Sequence, residues 1–94
     1  MNFEWDRLKD RANQRKHGIS FRDAITVFAD PLAKVFEDPD HSQEEKREII
    51  IGHSAERRLL LVCFIERDDR VRIISARETT KGERQNYEEN EPED

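Results

Sequence analysis

Between residues 70 and 84 the chain reads RVRIISARETTKGER, placing Arg70, Arg72, Arg77, Lys81 and Arg84 along and just after its most strand-like segment. A guanidinium offers donors in a fixed fork and cannot serve as a base, so its chemistry is the grip and neutralisation of an oxyanion such as phosphate. With a period of two, Val71, Ile73, Ser75 and Arg77 share one face of this strand, and Arg70, Arg72, Ile74 and Ala76 share the other. Arg72 lies mid-strand. Either it pairs across the sheet with Glu48 or Glu66, or it is held rigid to receive a phosphate. Arg77 ends the strand just before a helix start, whose free N–H groups would add to an anion site.

Groups able to move a proton are few. His17 precedes Gly18 at a helix end, where a positive imidazole suits the dipole; that is its simpler role, and general acid or base is the sharper one. Tyr87 reads as a packing residue with its hydroxyl at the rim, and Trp5 as core rather than a stacking platform for bases. His17, His41 and His53 are not at metal-ligand spacing, and DPDHS lacks the acidic rhythm and glycine of a calcium loop. No metal and no cofactor is expected. The sequence has no glycine-rich phosphate loop, no nucleophile elbow and no paired-cysteine motif.

These residues need elements to hold them. FEW alternates like a short strand. A helix follows from Asp6, with Trp5, Leu8 and Ala12 on one face, and Gly18 suits the left-handed position that ends it. Ser20 and Asp23 resemble a capping box for a second helix, with Phe21, Ala24, Ile25 and Phe28 on one face, stopped by Pro31. LAKVFE reads as a strand and DPDHSQEE as an acidic turn. KREIIIGHS, RRLLLVCFIER and RVRIISAR, joined by short turns, predict an antiparallel meander whose central strand is apolar on both sides. Thr80 and Glu83 repeat the capping pattern and open a short last helix through Tyr87. The expected fold is a single α+β domain, residues 1–87: N-terminal helices on an antiparallel sheet, then a short C-terminal helix. Residues 88–94 are an acidic tail expected to be disordered.

Composition narrows the class further. The chain has 94 residues, 41% charged and 34% hydrophobic. That resembles a disordered composition, but the apolar residues are gathered into periodic segments. The net charge is −5 at pH 7. Five of the 22 acidic residues sit in the tail EENEPED, so the body is neutral, with a basic zone from Arg57 to Arg77. A neutral body disfavours DNA binding by this chain alone, and no helix-turn-helix or ribbon reader is present. Cys63, within LLLVCFI, reads as a small core hydrophobe and implies no oxidising compartment. MNFEWDRLKD has no signal-peptide character, and the longest apolar run, Leu59 to Ile65, is too short for a membrane span. A soluble, cytoplasmic protein without a membrane partner is expected.

The blocks FEWDRLKDRANQRKHGISFRDAITVFADP, EKREIIIGHS and LLLVCFIERDDRVRIISARETTKGERQNYEE together resemble the BrnT family. Its pattern is a W-D opening, N..KHG[VI]SF.[DE]A..VF.DP, a strand ending IG.S, and [IV]R[IV]ISAR.[AT]...ER..Y. The match runs nearly to the acidic tail. The resemblance implies a RelE-like fold and the toxin half of a type II toxin–antitoxin module. It further implies a ribonuclease that cuts RNA to inhibit translation and is neutralised by a cognate BrnA-type antitoxin, with DNA contacted only through that antitoxin. By motif position it nominates Arg72 and Arg77 for phosphate and His17 or Tyr87 for proton transfer, in a metal-independent endoribonuclease reaction. Lys9, Lys16 and Arg58 are expected to bind RNA. The alternative is a non-catalytic protein- or RNA-binding module, because no residue is by type alone an unambiguous general base.

Overall fold

The structure is a computed structural model that describes residues 1–38 and 46–89. The expected acidic turn therefore lies, apart from Asp38, outside the described residues, and so does the expected tail of residues 88–94 except for Glu88 and Glu89, which belong to the last helix. Five strands form one sheet in the order β1-β5-β4-β3-β2: β1 (Asn2–Glu4), β2 (Lys34–Glu37), β3 (Arg47–His53), β4 (Leu59–Arg67) and β5 (Arg70–Glu78). The helices are α1 (Arg7–His17), the single turn α2 (Phe21–Ala24) and α3 (Lys81–Glu89). Strands β2 to β5 pair antiparallel, as the meander predicts. The sheet is nonetheless mixed, because β1 pairs with β5 in parallel.

Local chemistry sets the element ends. Asp6 caps α1 by accepting the Leu8 N–H at 2.7 Å, and Gly18 closes it in the left-handed conformation at φ 72°. Ser20 Oγ accepts the Asp23 N–H at 3.1 Å, as the capping pattern predicts. The expected second helix does not continue as one α-helix. It tightens into a 3₁₀ segment over Ile25–Ala29. The β-branched run Ile25-Thr26-Val27 is a poor α-helix former, and the Thr26 hydroxyl donates back to the Asp23 carbonyl at 2.6 Å. This segment crosses β3 at Gly52, where a Cβ would stand 2.9 Å from Ala33 Cβ and 3.0 Å from Val27 Cγ1. The glycine of IGHS is thus required by close packing.

Two cores flank the sheet. The larger lies under α1 and α2 and contains Ile19, Phe21, Ala24, Val27, Ile50, Leu60, Val62, Phe64, Val71, Ile73 and Ala76. The smaller lies under α3 and joins Tyr87 to Ile51, Leu59 and Leu61. β4 contributes to both, with Leu60, Val62 and Phe64 on one side and Leu59 and Leu61 on the other.

A bulge in β5 overturns the simple alternation of RVRIISAR. Phe64 pairs with Ile73 but Cys63 pairs with Ser75, so Ile74 is inserted without a partner of its own. Val71, Ile73 and Ala76 consequently face the larger core, whereas Arg70, Arg72, Ser75 and Arg77 point to the opposite side. Arg72 and Arg77, assigned to different faces by alternation alone, share one.

α1 is fixed beside β5 by Asn13. Its buried side-chain amide donates to the Ala76 carbonyl at 2.7 Å and to the Ile19 carbonyl at 2.8 Å, and accepts the Ala76 N–H at 3.1 Å. β1 pairs only as far as Arg72, so Asn13 satisfies the strand edge where β1 has stopped. Leaving either backbone group buried and unpaired would cost about 1–3 kcal/mol. The lock brings the C-terminal end of α1, with Lys16 and His17, to the rim of the sheet near Arg77.

Candidate active site

The strand register sorts charge by face. On the side away from α1 and α2 lie Lys34, Arg47, Arg67, Arg70, Arg72 and Arg77, with Glu4 as the strand carboxylate among them. Towards α1 and α2 point Glu37, Glu48, Glu66 and Glu78 and, among the described residues, no strand cation. Asp38, just past β2, Glu83, on α3, and Asp68 and Asp69, in the β4–β5 turn beside Arg67, Arg70 and Arg72, add carboxylates to the cationic side. Period-two geometry therefore gives a chain of negative net charge one basic sheet face.

On this face a concavity of about 490 Å³ is lined by Lys16, His17, Asp38, Ile49, Leu61, Cys63, Ser75, Ala76, Arg77 and Glu83. Three of the nominated residues, Lys16, His17 and Arg77, meet here. Cys63 is half-buried in the floor rather than sealed in the core.

Arg77 is positioned with unusual economy of donors. Its Nη1 and Nη2 donate to the two carboxylate oxygens of Glu83 at 2.8 and 2.9 Å, and Nη1 also donates to the Glu78 carbonyl at 3.2 Å. A guanidinium has five N–H donors. The three bonds leave Nε–H and the second Nη2–H, adjacent and parallel, a fork that matches two phosphate oxygens. The Glu83 bond raises the Arg77 pKa against the effect of partial burial. Glu83 is itself held down to about 2, first by Arg77 and then by the Thr80 N–H, which outweigh its burial. Such a carboxylate is a poor proton acceptor at neutral pH. It also completes the capping box, accepting the Thr80 N–H at 2.8 Å, so the helix start expected to bind an anion already holds one of its own.

The other nominated residues lie elsewhere. Arg72 donates to Glu4 Oε2 at 2.9 Å. Its partner is therefore on the parallel strand β1, and neither Glu48 nor Glu66. The two pair with Ile65 and Leu61, four residues apart on β4, so at ~3.3 Å of rise per residue Arg72 stands roughly 13 Å from Arg77. Arg72 lines a second concavity of about 450 Å³ with Glu4, Arg67, Asp68, Asp69 and Arg70. Lys9 is exposed on α1, outside both concavities. Arg58 ties the α1–α2 junction to the β3–β4 hairpin, donating to the Gly18 carbonyl at 3.1 Å and to Glu56 at 3.3 Å, with the buried Asp23 at 3.9 Å.

Tyr87 is 2% exposed, and its hydroxyl donates to Asp30 Oδ2 at 2.8 Å rather than reaching the concavity. The His53 ring nitrogen Nδ1 stands 3.3 Å from the same hydroxyl, and the His53 backbone N–H donates to Asp30 Oδ2 at 2.8 Å. Burial would raise the Asp30 carboxyl, but the N–H groups of His53 and Leu32, with the Tyr87 hydroxyl, outweigh it and hold it below its ordinary value. This cluster fastens α3 to β3 and to the turn before β2. Sequence reasoning missed it because its members lie 23 to 57 residues apart. Among the described residues no group of three or more His, Cys, Asp or Glu is arranged to hold a metal.

A sequence profile for the ribonuclease toxin BrnT of type II toxin–antitoxin systems matches residues 5–83. No curated protein matches the chain. Among solved structures, the Brucella abortus ribonuclease toxin BrnT superposes with a TM-score of 0.66 at 26% identity, covering 86% of this chain and 99% of that one. Arg72, Arg77 and the KHG turn thus sit on a known toxin scaffold, and the chain belongs to the BrnT family of ribonuclease toxins of type II toxin–antitoxin systems.

Proposed function

We propose that this ribonuclease toxin cleaves RNA without a metal, at the concavity where Lys16, His17 and Arg77 converge. The carrying observation is the donor fork left on Arg77 beside an imidazole and an ammonium. The ribose 2′-oxygen attacks the adjacent phosphorus, the bond from phosphorus to the 5′-oxygen breaks, and the products are a 2′,3′-cyclic phosphate and a 5′-hydroxyl. His17 receives the 2′-hydroxyl proton, and the departing oxygen takes a proton from solvent beside Lys16. Arg77, held rigid by Glu83, stabilises the charge that grows on the phosphate oxygens. Arg72 and its neighbours bind the strand further along rather than act on the reacting phosphate. Tyr87 orients α3 and does not transfer the proton.

In this reading the toxin acts in the cytoplasm and is silenced by a BrnA-type antitoxin, which also provides any contact with DNA. The test incubates purified protein with RNA in the presence and absence of chelator and analyses the fragment ends. Cyclic phosphate ends that persist with chelator are expected. Arg77→Ala should lower the cleavage rate by about 10²-fold or more, the usual effect of losing one transition-state donor, with the fold intact by circular dichroism. Cleavage that requires added metal, or that survives the loss of Arg77, would reject the assignment.

A further inference from the structure

The chain has seven aromatic side chains by the count of Phe, Trp and Tyr, and the fold uses all but one of them. Phe3 meets Phe28 at a tilt, Phe28 lies edge-on to Phe64, Trp5 lies edge-on to Phe21, and Tyr87 packs edge-on against His53. Phe36 makes no such ring contact among the described residues, and it is 45% exposed. A phenyl ring left partly in water forfeits part of the stabilisation that burial would give it. Its position is specific. Phe36 pairs with Ile49, Ile49 with Cys63 and Cys63 with Ser75, so the four form one row across the cationic face. The last three line the concavity that holds Arg77. The row ends on the open ring.

We infer that Phe36 is a stacking platform for a nucleobase of single-stranded RNA lying across this face, a role that rests on the reading of the Arg77 concavity as the cleavage site. Charge complementarity selects the occupant. The strand face around the row carries Lys34, Arg47, Arg72 and Arg77 against Asp38, Glu4 and Glu83, two of which are paired to Arg72 and Arg77, so that a positive balance remains for a polyanion. An aromatic ring beside cations is the arrangement that binds single strands, because every base has a face to stack and every nucleotide a phosphate to neutralise. Three inter-strand steps of ~4.8 Å separate Ser75 from Phe36, roughly 14 Å. The stacked base therefore belongs to a different nucleotide from the one whose phosphate Arg77 grips.

The test uses the full chain and a single-stranded RNA oligonucleotide with 2′-O-methyl ribose throughout, which cannot supply the nucleophile, with binding followed by fluorescence anisotropy. Phe36→Ala and Phe36→Leu should each bind about tenfold more weakly, the scale of one lost base–aromatic stack, while Phe36→Tyr stays within about twofold. On an abasic strand of equal length the three variants and the parent should bind alike. Leucine serving as well as phenylalanine would overturn the inference, as would an alanine deficit that persists on the abasic strand. Unchanged RNA binding with lost antitoxin capture would also overturn it and assign the ring to the partner protein. Should Phe36→Ala fold poorly, the Leu and Tyr comparison decides alone. Binding that depends on Arg77 but ignores Phe36 removes only this inference; a parent chain that binds no RNA removes the cleavage-site reading with it.

Discussion

At the scale of single residues, a side chain's type proves a weaker guide to its work than the fate of its polar atoms. Arg77 and Arg58 have the same chemistry. Arg58 spends donors on Gly18 and Glu56 and joins two loops, whereas Arg77 keeps two adjacent donors and lines a concavity. Tyr87 illustrates the converse. Its motif position suggests proton transfer, yet its hydroxyl is given to Asp30. Tyr87→Phe should therefore lower stability by about 1 kcal/mol, the net worth of a typical hydrogen bond, while RNA cleavage stays within a few-fold. Urea denaturation and a cleavage assay on the same preparation check both halves. A large loss of cleavage with unchanged stability would return the tyrosine to the catalytic group.

Among elements, α3 is docked at both of its halves through carboxylates. Glu83 joins its first turn to β5, and the bond from Tyr87 to Asp30 joins its second half to the turn before β2. Both carboxyls have folded-state pKa values below their ordinary ones, Glu83 at about 2. A depressed carboxylate contributes stability that is full above its unfolded pKa and is lost as pH falls towards the folded value. The Glu83 contribution should thus be intact above its reference value of 4.5 and disappear progressively towards about 2. The urea midpoint should drop between pH 5 and pH 2.5, and Glu83→Gln should flatten that dependence while lowering the midpoint at pH 7. An equal slope in the variant would show that Glu83 does not govern the docking of α3.

For the whole molecule, the distribution of charge matters more than its total. A net charge of −5 describes a poor polyanion binder, yet strand parity gathers the sheet's cations on one face. Binding of single-stranded RNA should be modest in strength and steeply salt-dependent. With about four phosphate contacts, affinity should fall roughly fiftyfold between 50 and 200 mM salt, from a slope near −0.7 per contact. Titrations across that range measure the slope, and a flat response would mean that the cationic face is not the RNA surface. The same field would steer an acidic antitoxin segment, so association with the antitoxin should also slow as salt rises.

Much of this protein is written locally. Capping residues Asp6, Ser20 and Thr80, the left-handed Gly18 and the apolar periodicity act over a few positions, so helix starts, the α1 stop and the meander follow from the sequence alone. The family pattern added the toxin identity and nominated Arg72, Arg77, Tyr87, Lys9, Lys16 and His17, of which Lys16, His17 and Arg77 line one concavity and the other three lie elsewhere. Tertiary structure decided what depends on distant partners. The bulge at Ile74 has no signature in RVRIISAR, yet it reverses the faces of every later residue in β5 and so puts Arg72 and Arg77 on one face of the sheet, though in separate concavities. Asn13 could not be foreseen as the lock on Ala76, 63 positions away, nor Asp30 as the partner of Tyr87, 57 away. Local backbone preferences are intrinsic to short segments, but a hydrogen bond between remote groups exists only once packing brings them within reach. That is why the sequence could name cations for phosphate, and only the folded sheet could say which of them face one concavity.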